Sequence, residues 1–197
     1  MQMTMRVLIR LGVLFSLATL IAAQGPKARS PGAAEIASTK AYVKQIDRFI
    51  KLNPKSKRTF ADVGNAQENW REFKSKLAKG ETNPEDLNEI GHAWAREGKV
   101  VAAGLAFQSE SRDWAHFVRY YFREDGTLAK IYSRLNTFYG NVTAIREQYY
   151  SRNGRLLKTT ARYLDIETQK PKKSHDFQDH PTPVYLNVRK LPFSKLL

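Results

Sequence analysis

A chain of 197 residues with 42% hydrophobic, 11% aromatic and 26% charged residues has the make-up of one globular domain with its own core, which excludes a disordered chain and leaves little room for two domains. The lack of cysteine excludes disulfides, cysteine nucleophiles and thiolate metal sites. A formal charge of +14 predicts a surface that draws in polyanions, although the same charge also serves plain solubility.

Met1 to Arg10 carries Arg6 and Arg10 and no acid, and Leu11 to Ala23 is an almost unbroken apolar run ending in small residues. This is the pattern of a signal peptide over 1–23, cleaved after Ala23. The run is shorter than the roughly 20 residues that a membrane-spanning helix needs, so no stable transmembrane anchor is expected. Removing Arg6 and Arg10 from the total of +14 would leave the mature chain at +12. An exported chain without disulfides points to a bacterial envelope, periplasmic or extracellular, where nucleic acid is not the expected partner.

Residues 24–32 form a Pro/Gly/Ser/Ala linker, and 33–197 read as a single domain. Ser30 and Pro31 are placed as helix cap and first helical residue. Ile36, Val43, Ile46 and Ile50 recur on one helical face until Asn53 and Pro54 end it, with Lys40, Lys44, Arg48 and Lys51 on the other side. The spacing of Ala66, Trp70, Phe73 and Leu77 predicts a second helix over Asn65 to Lys79, closed by Gly80. Asn83, Pro84, Glu85 and Asp86 carry the residues of a third helix start. His92 to Arg96 fit either an extension of that helix or a strand turning at Glu97-Gly98 into Lys99 to Phe107, and the hairpin is the preferred reading. Residues 33–90 are thus expected to be mainly helical and 92–165 an antiparallel sheet.

From Trp114 the apolar period changes to two. Trp114 to Phe122, Thr127 to Phe138, Val142 to Ser151 and Arg155 to Leu164 are β-rich runs separated by turns at Asp125-Gly126, Gly140-Asn141 and Asn153-Gly154. Connections this short force an antiparallel meander. Residues 166–197, with Pro181, Pro183 and Pro192, read as an extended tail laid over the domain rather than another strand, its apolar residues tucked into the core edge. The expected fold class is therefore α+β, with N-terminal helices packed on an antiparallel meander of four to six strands.

The hairpins contain a weak repeat: Tyr120-Tyr121-Phe122 leads through Gly126 to Leu128 and Lys130, and Tyr149-Tyr150 leads through Gly154 to Leu156 and Lys158. In these segments, over Trp114 to Leu164, the chain resembles uncharacterised exported bacterial proteins with Tyr-Tyr-Phe-x-x-x-Gly-x-Leu hairpins, and more distantly MORN-type repeats, whose regular glycine spacing it lacks. The resemblance implies an antiparallel sheet in an exported protein and carries over no catalytic residue.

No nucleophile elbow, phosphate loop or dinucleotide fingerprint is present, and no cofactor is implied. His116 alternates with the aromatics of its strand and reads as a hydrogen-bonded histidine of the sheet. The one metal-like constellation is His175, Asp176, Asp179 and His180, although a histidine pair five apart matches no established ligand frame. Arginines and tyrosines interleave along the strands, and Arg119, Arg123, Arg146 and Arg162 with Tyr121 and Tyr149 are the candidate contacts to an acidic ligand on a sheet face left open by the helices. An ordinary solvated sheet face accounts for the same residue types. The leading reading is a non-enzymatic envelope or periplasmic binding module for an acidic glycan, a lipid phosphate or an envelope protein. The alternatives are a small exported hydrolase, metal-dependent through the His175 to His180 loop, and a chaperone-like or structural module that binds protein.

Overall fold

The computed structural model describes residues 31–64, 69–73, 87–173, 177 and 179–197. The expected leader, the linker up to Ser30, the Asn83 to Asp86 helix start, His175 and Asp176 lie outside the described residues.

One long helix, α1 (Pro31–Leu52), opens the described chain. It begins at the proline that its fixed φ suits to a first turn and ends before Asn53-Pro54, where a proline can no longer continue it. Asn53 closes the last turn, its backbone N–H and its side-chain Nδ2 both donating to the Phe49 carbonyl at 2.9 Å. Thr39, Val43 and Ile46 are buried, the i, i+4, i+7 spacing of one face, while Lys40, Lys44, Arg48 and Lys51 are exposed on the opposite side.

Eight strands follow: β1 (Lys57–Asp62), β2 (Trp70–Phe73), β3 (Glu89–Arg96), β4 (Lys99–Gln108), β5 (Trp114–Phe122), β6 (Leu128–Thr137), β7 (Val142–Tyr150) and β8 (Leu156–Asp165). They form one sheet in the order β2-β1-β3-β4-β5-β6-β7-β8, every neighbouring pair antiparallel. The fold is therefore mainly β, with a single helix among the described residues. The expectation of several N-terminal helices on a four-to-six-stranded meander is overturned.

The reason lies in the segment before β4. Trp70 and Phe73, read as one helical face, belong instead to a four-residue strand registered as Asp62↔Trp70 and Thr59↔Phe73. Trp70 is fixed by a ring 5.3 Å away on Phe193, more than a hundred residues downstream. Short apolar spacings fit helix and strand alike, and such long-range burial decides between them. The Glu97-Gly98 hairpin is present: both residues have positive φ, 52° and 73°, the geometry of a two-residue turn that matches strand twist. Strands β5 to β8 follow the expected runs closely, with turns carrying positive φ at Gly126, Gly140-Asn141 and Gly154.

Each sheet face receives a different cover. On the first, the C-terminal segment lies over Phe60, Leu105, Val118, Tyr120 and Ile131, and its own Leu191 and Phe193 are 2% and 1% exposed. Phe193 stacks on Phe60 with ring centroids 4.6 Å apart. Beneath it Gly91 has no alternative, since a Cβ there would come within 2.5 Å of the Phe193 ring. Farther along, Tyr120 donates its hydroxyl to the Pro183 carbonyl at 3.0 Å, His180 stacks on Trp114 at 4.0 Å, and Phe177 meets Tyr163 at 5.7 Å. The tail lies over the sheet as a structural layer, with Leu191 and Phe193 inside the core.

On the second face, α1 runs across the strands at one end. Glu35 accepts from the Arg152 N–H after β7, Lys40 lies over the Tyr149 ring, the Tyr42 hydroxyl donates to the Phe122 carbonyl, and Asp47 accepts from the Tyr121 hydroxyl. Val43 and Ile46 pack with Trp94, Ala102 and Tyr121. The helix covers that end of the strands on this face. Among the described residues no helix is long and apolar enough to cross a membrane.

Candidate binding cleft beside the helix

The register places one row of side chains next to the helix on the second face: Thr59, His92, Gly104, Arg119, Tyr132 and Glu147. A further row holds Ile90, Ala106, Phe117 and Arg134. On β4, past Val101 and Ala102 under the helix, this face shows Gly104 and Ala106, and the missing side-chain volume forms the floor of a cleft of about 760 Å³ bounded by α1, Trp94, Phe117 and Tyr132. A Cβ at Gly104 would meet the Trp94 ring at 3.6 Å, ordinary contact, so the glycine is not forced by crowding.

The cleft combines an apolar floor with two accessible cations, Arg119 on the sheet and Lys51 on the helix. Arg119 lies 5.2 Å from the Trp94 ring centroid, a cation–π arrangement. Its nearest carboxylate oxygen, on Asp47, is 3.9 Å away, and its side chain keeps 40% exposure. Lys130, by contrast, is buried and donates to Glu147 at 2.6 Å, while Tyr149 donates to the other Glu147 oxygen at 3.0 Å. Burial works to raise the Glu147 carboxyl, but the Lys130 hydrogen bond and charge outweigh it and hold the group below the usual carboxylate range. His92 stays neutral near pH 7: burial, then the charges of Lys57 and Arg119, lower its pKa to about 4. Its Nδ1 is 3.3 Å from the Thr59 hydroxyl. Around this hydroxyl–imidazole pair the cleft offers an apolar bed, ring faces and a guanidinium.

The six candidate contacts read from the sequence do not share one surface. Arg119 lies in the cleft, and Arg162 is on the same face, exposed on the far strand β8. Arg146 sits on the opposite face, bound to Asp179 through two hydrogen bonds of 2.8 and 2.9 Å. Arg123 turns back at the β5–β6 hairpin and donates to the Leu128 and Tyr150 carbonyls at 2.5 and 2.6 Å. Burial lowers its pKa. Tyr121 and Tyr149 are 4% and 2% exposed; burial and the Asp47 hydrogen bond raise the Tyr121 phenol, and burial and Glu147 push Tyr149 up to about 12. Of the metal-like constellation, Asp179 is engaged by Arg146, and His180 stacks on Trp114 with its Nε2 buried and without a hydrogen-bond partner among the described residues. Among the described residues no group of three or more His, Asp or Glu is placed to hold a metal ion. His116 is 2% exposed with its Nε2 3.4 Å from the Thr182 hydroxyl, part of the seam between sheet and tail.

Trp94, Gly104, Phe117 and Tyr132 were not singled out in the sequence as site residues. The readable trace was the alternation of Ala102, Gly104 and Ala106, small residues at every second position of a strand, where a fully covered face would carry larger ones. Against protein-family models, curated proteins and solved structures alike, the chain finds no match.

Proposed function

We propose that this chain is a non-catalytic binding protein of an exported, envelope compartment, whose cleft beside α1 takes an amphipathic anion. Arg119 pairs with the ligand's acidic head, and Trp94, Phe117 and Tyr132 hold its apolar or ring-bearing body. The observation that carries this reading is the coincidence of a 760 Å³ cleft over Gly104 and Ala106 with a guanidinium 3.9 Å from its nearest carboxylate oxygen. A surface meant only for water has no need of an apolar bed. The net charge, +14 over the full chain and still strongly positive without Arg6 and Arg10, favours approach of the same class of ligand. Lipid phosphates suit the cleft better than acidic glycans, because its floor offers methyl groups and rings rather than hydrogen-bonding groups.

The test is titration of the chain with a phosphate-bearing lipid, its neutral headgroup analogue and an acidic oligosaccharide, each at low and high salt. The phosphate lipid is expected to bind best, with affinity falling as salt rises. Loss of a charge-assisted bond in Arg119→Glu is expected to weaken binding by roughly ten- to a hundredfold, and Gly104→Val, which fills the floor with a residue suited to a strand, is expected to abolish it. Binding that survives Gly104→Val in a folded protein would refute the cleft as the site.

A further inference from the structure

We infer that the outer edge of β8 is a second interaction site, which accepts an extended acidic peptide as a ninth strand. Residues 170–172 already use this edge: the Asp165 N–H donates to the Lys170 carbonyl and the Lys172 N–H to the Tyr163 carbonyl, both at 2.9 Å, with Leu164 and Pro171 forming an antiparallel bridge. These bonds identify the backbone groups that point away from β7. In an antiparallel pair the outward residues alternate, and the register with β7 is unbroken from Lys158 to Asp165. Because Tyr163 and Asp165 face outward, so do Ala161 and Thr159. Lys172 is the last described residue to bond this edge, and no hydrogen bond from any described residue outside the sheet reaches the backbone of Thr159 or Ala161. Residues 158–162 are exposed throughout. The strand offers the donors and acceptors of a sheet edge without the proline that usually blunts one.

Charge selects the partner. Arg155, Lys158 and Arg162 lie on or beside the edge, and no acid occurs between Arg152 and Leu164; Arg152 itself is paired with Asp125 at 3.3 Å. Lys158 and Arg162 project from the same side of the strand, four residues apart, where a partner strand's alternate side chains meet them. A second copy of the chain is disfavoured by the same feature, because an antiparallel pair centred on Thr160 sets Lys158 opposite Arg162 twice. An extended peptide with acids at every second position gains an ion pair at each of these places and adds main-chain hydrogen bonds at Thr159 and Ala161.

The full chain is titrated at low salt with a capped heptapeptide of alternating glutamate and valine, with its lysine counterpart, and with the glutamate peptide N-methylated at alternate residues. The acidic peptide is expected to saturate the protein, the lysine peptide not to bind, and N-methylation to weaken binding about tenfold or more, since it removes backbone donors and leaves the charge unchanged. Thr159→Pro, which removes an outward N–H but none from the β7 ladder, is expected to lose about as much, and the double variant Lys158→Glu/Arg162→Glu to prefer the lysine peptide. If the N-methylated peptide binds as well as its parent, or the acidic peptide fails to saturate, the ninth-strand site does not exist; the first of these is read on the unaltered protein, so it stands even where Thr159→Pro does not fold. Displacement of the peptide by the cleft's phosphate lipid would also overturn it, because it would place both ligands in the cleft.

Discussion

The contact between Gly91 and Phe193 joins the N-terminal strands to the C-terminal layer, and a double-mutant cycle measures it. In Gly91→Ala the added methyl would lie 2.5 and 2.7 Å from two Phe193 ring carbons and 3.0 Å from a Trp70 ring carbon. None of these atoms is the free end of a flexible chain, and overpacking of this kind costs about 1–3 kcal/mol. Phe193→Ala removes a ring that is 1% exposed and stacked 4.6 Å from Phe60, a loss of about 3–5 kcal/mol. In the double variant the new methyl enters space that the ring has left, so the overpacking cost vanishes and part of the cavity is filled. The double variant is therefore expected to be no less stable than Phe193→Ala alone, which makes the coupling at least the whole cost of Gly91→Ala, about 1–3 kcal/mol. Urea unfolding reads this directly: at a slope of roughly 2 kcal/mol per molar, Phe193→Ala lowers the midpoint by about 2 M and Gly91→Ala by about 1 M. If the losses simply add within about 0.5 kcal/mol, Phe193 does not sit over Gly91 and the tail is not a layer of the core.

Two histidines predict a pH dependence of definite sign. His92 and His116 both have pKa values lowered from 6.5 to about 4, chiefly by burial, so between these limits the unfolded chain binds more protons than the native one. Stability is then complete above about pH 6.5 and falls as the pH drops towards 4, by up to about 1.4 kcal/mol per pH unit for each histidine. Urea midpoints at pH 7.5, 6.5 and 5.5 check it, above the range where paired carboxylates such as Glu147 titrate; a flat profile, or one that His116→Gln leaves as steep, would contradict the assignment. Arg123→Met is expected to cost roughly 2–3 kcal/mol of stability, because the Leu128 and Tyr150 carbonyls lose a charged donor whose side chain is only 12% exposed. It is expected to leave lipid binding as it was, and weakened binding in a folded Arg123→Met protein would place the ligand at the hairpin end of the sheet instead of in the cleft.

The half of the fold built from local chemistry was legible. Strands β5 to β8 are joined by turns whose glycines and asparagines must take positive φ, and α1 carries its period in one amphipathic run between two prolines. Strand β2 was not legible, because Trp70 and Phe73 satisfy a helical spacing and only Phe193, supplied from the far end of the chain, makes the strand conformation bury Trp70. The candidate site shows the same limit. Arg119 and Arg146 occupy strands of similar composition, yet they lie on opposite faces. Each face acquires its role from what covers it, the tail on one and α1 on the other. Asp179, which closes Arg146 into the tail seam, is 33 residues away from it, and no spacing in the sequence announces that pairing.

The cleft follows from a mismatch of dimensions. Strands β4 to β8 have nine or ten residues each, about 30 Å of extended chain, and α1 lies across them with a width of about 10 Å. One helix in this orientation shields a third of their length. If the remainder faced only water, alternation would place polar residues along it, as it does on β8, where Lys158, Thr160 and Arg162 share that face. On β3 to β5 the positions beyond the helix are instead Ile90, Ala106 and Phe117 beside His92 and Arg119, with Phe117 left 48% exposed. Apolar surface held open to solvent costs solubility unless something covers it, and the apolar stretch ends where Arg119 begins the charged part of the row. The change from small and apolar residues to a guanidinium within one cross-strand step is the feature that a ligand with an acidic head and an apolar body would select.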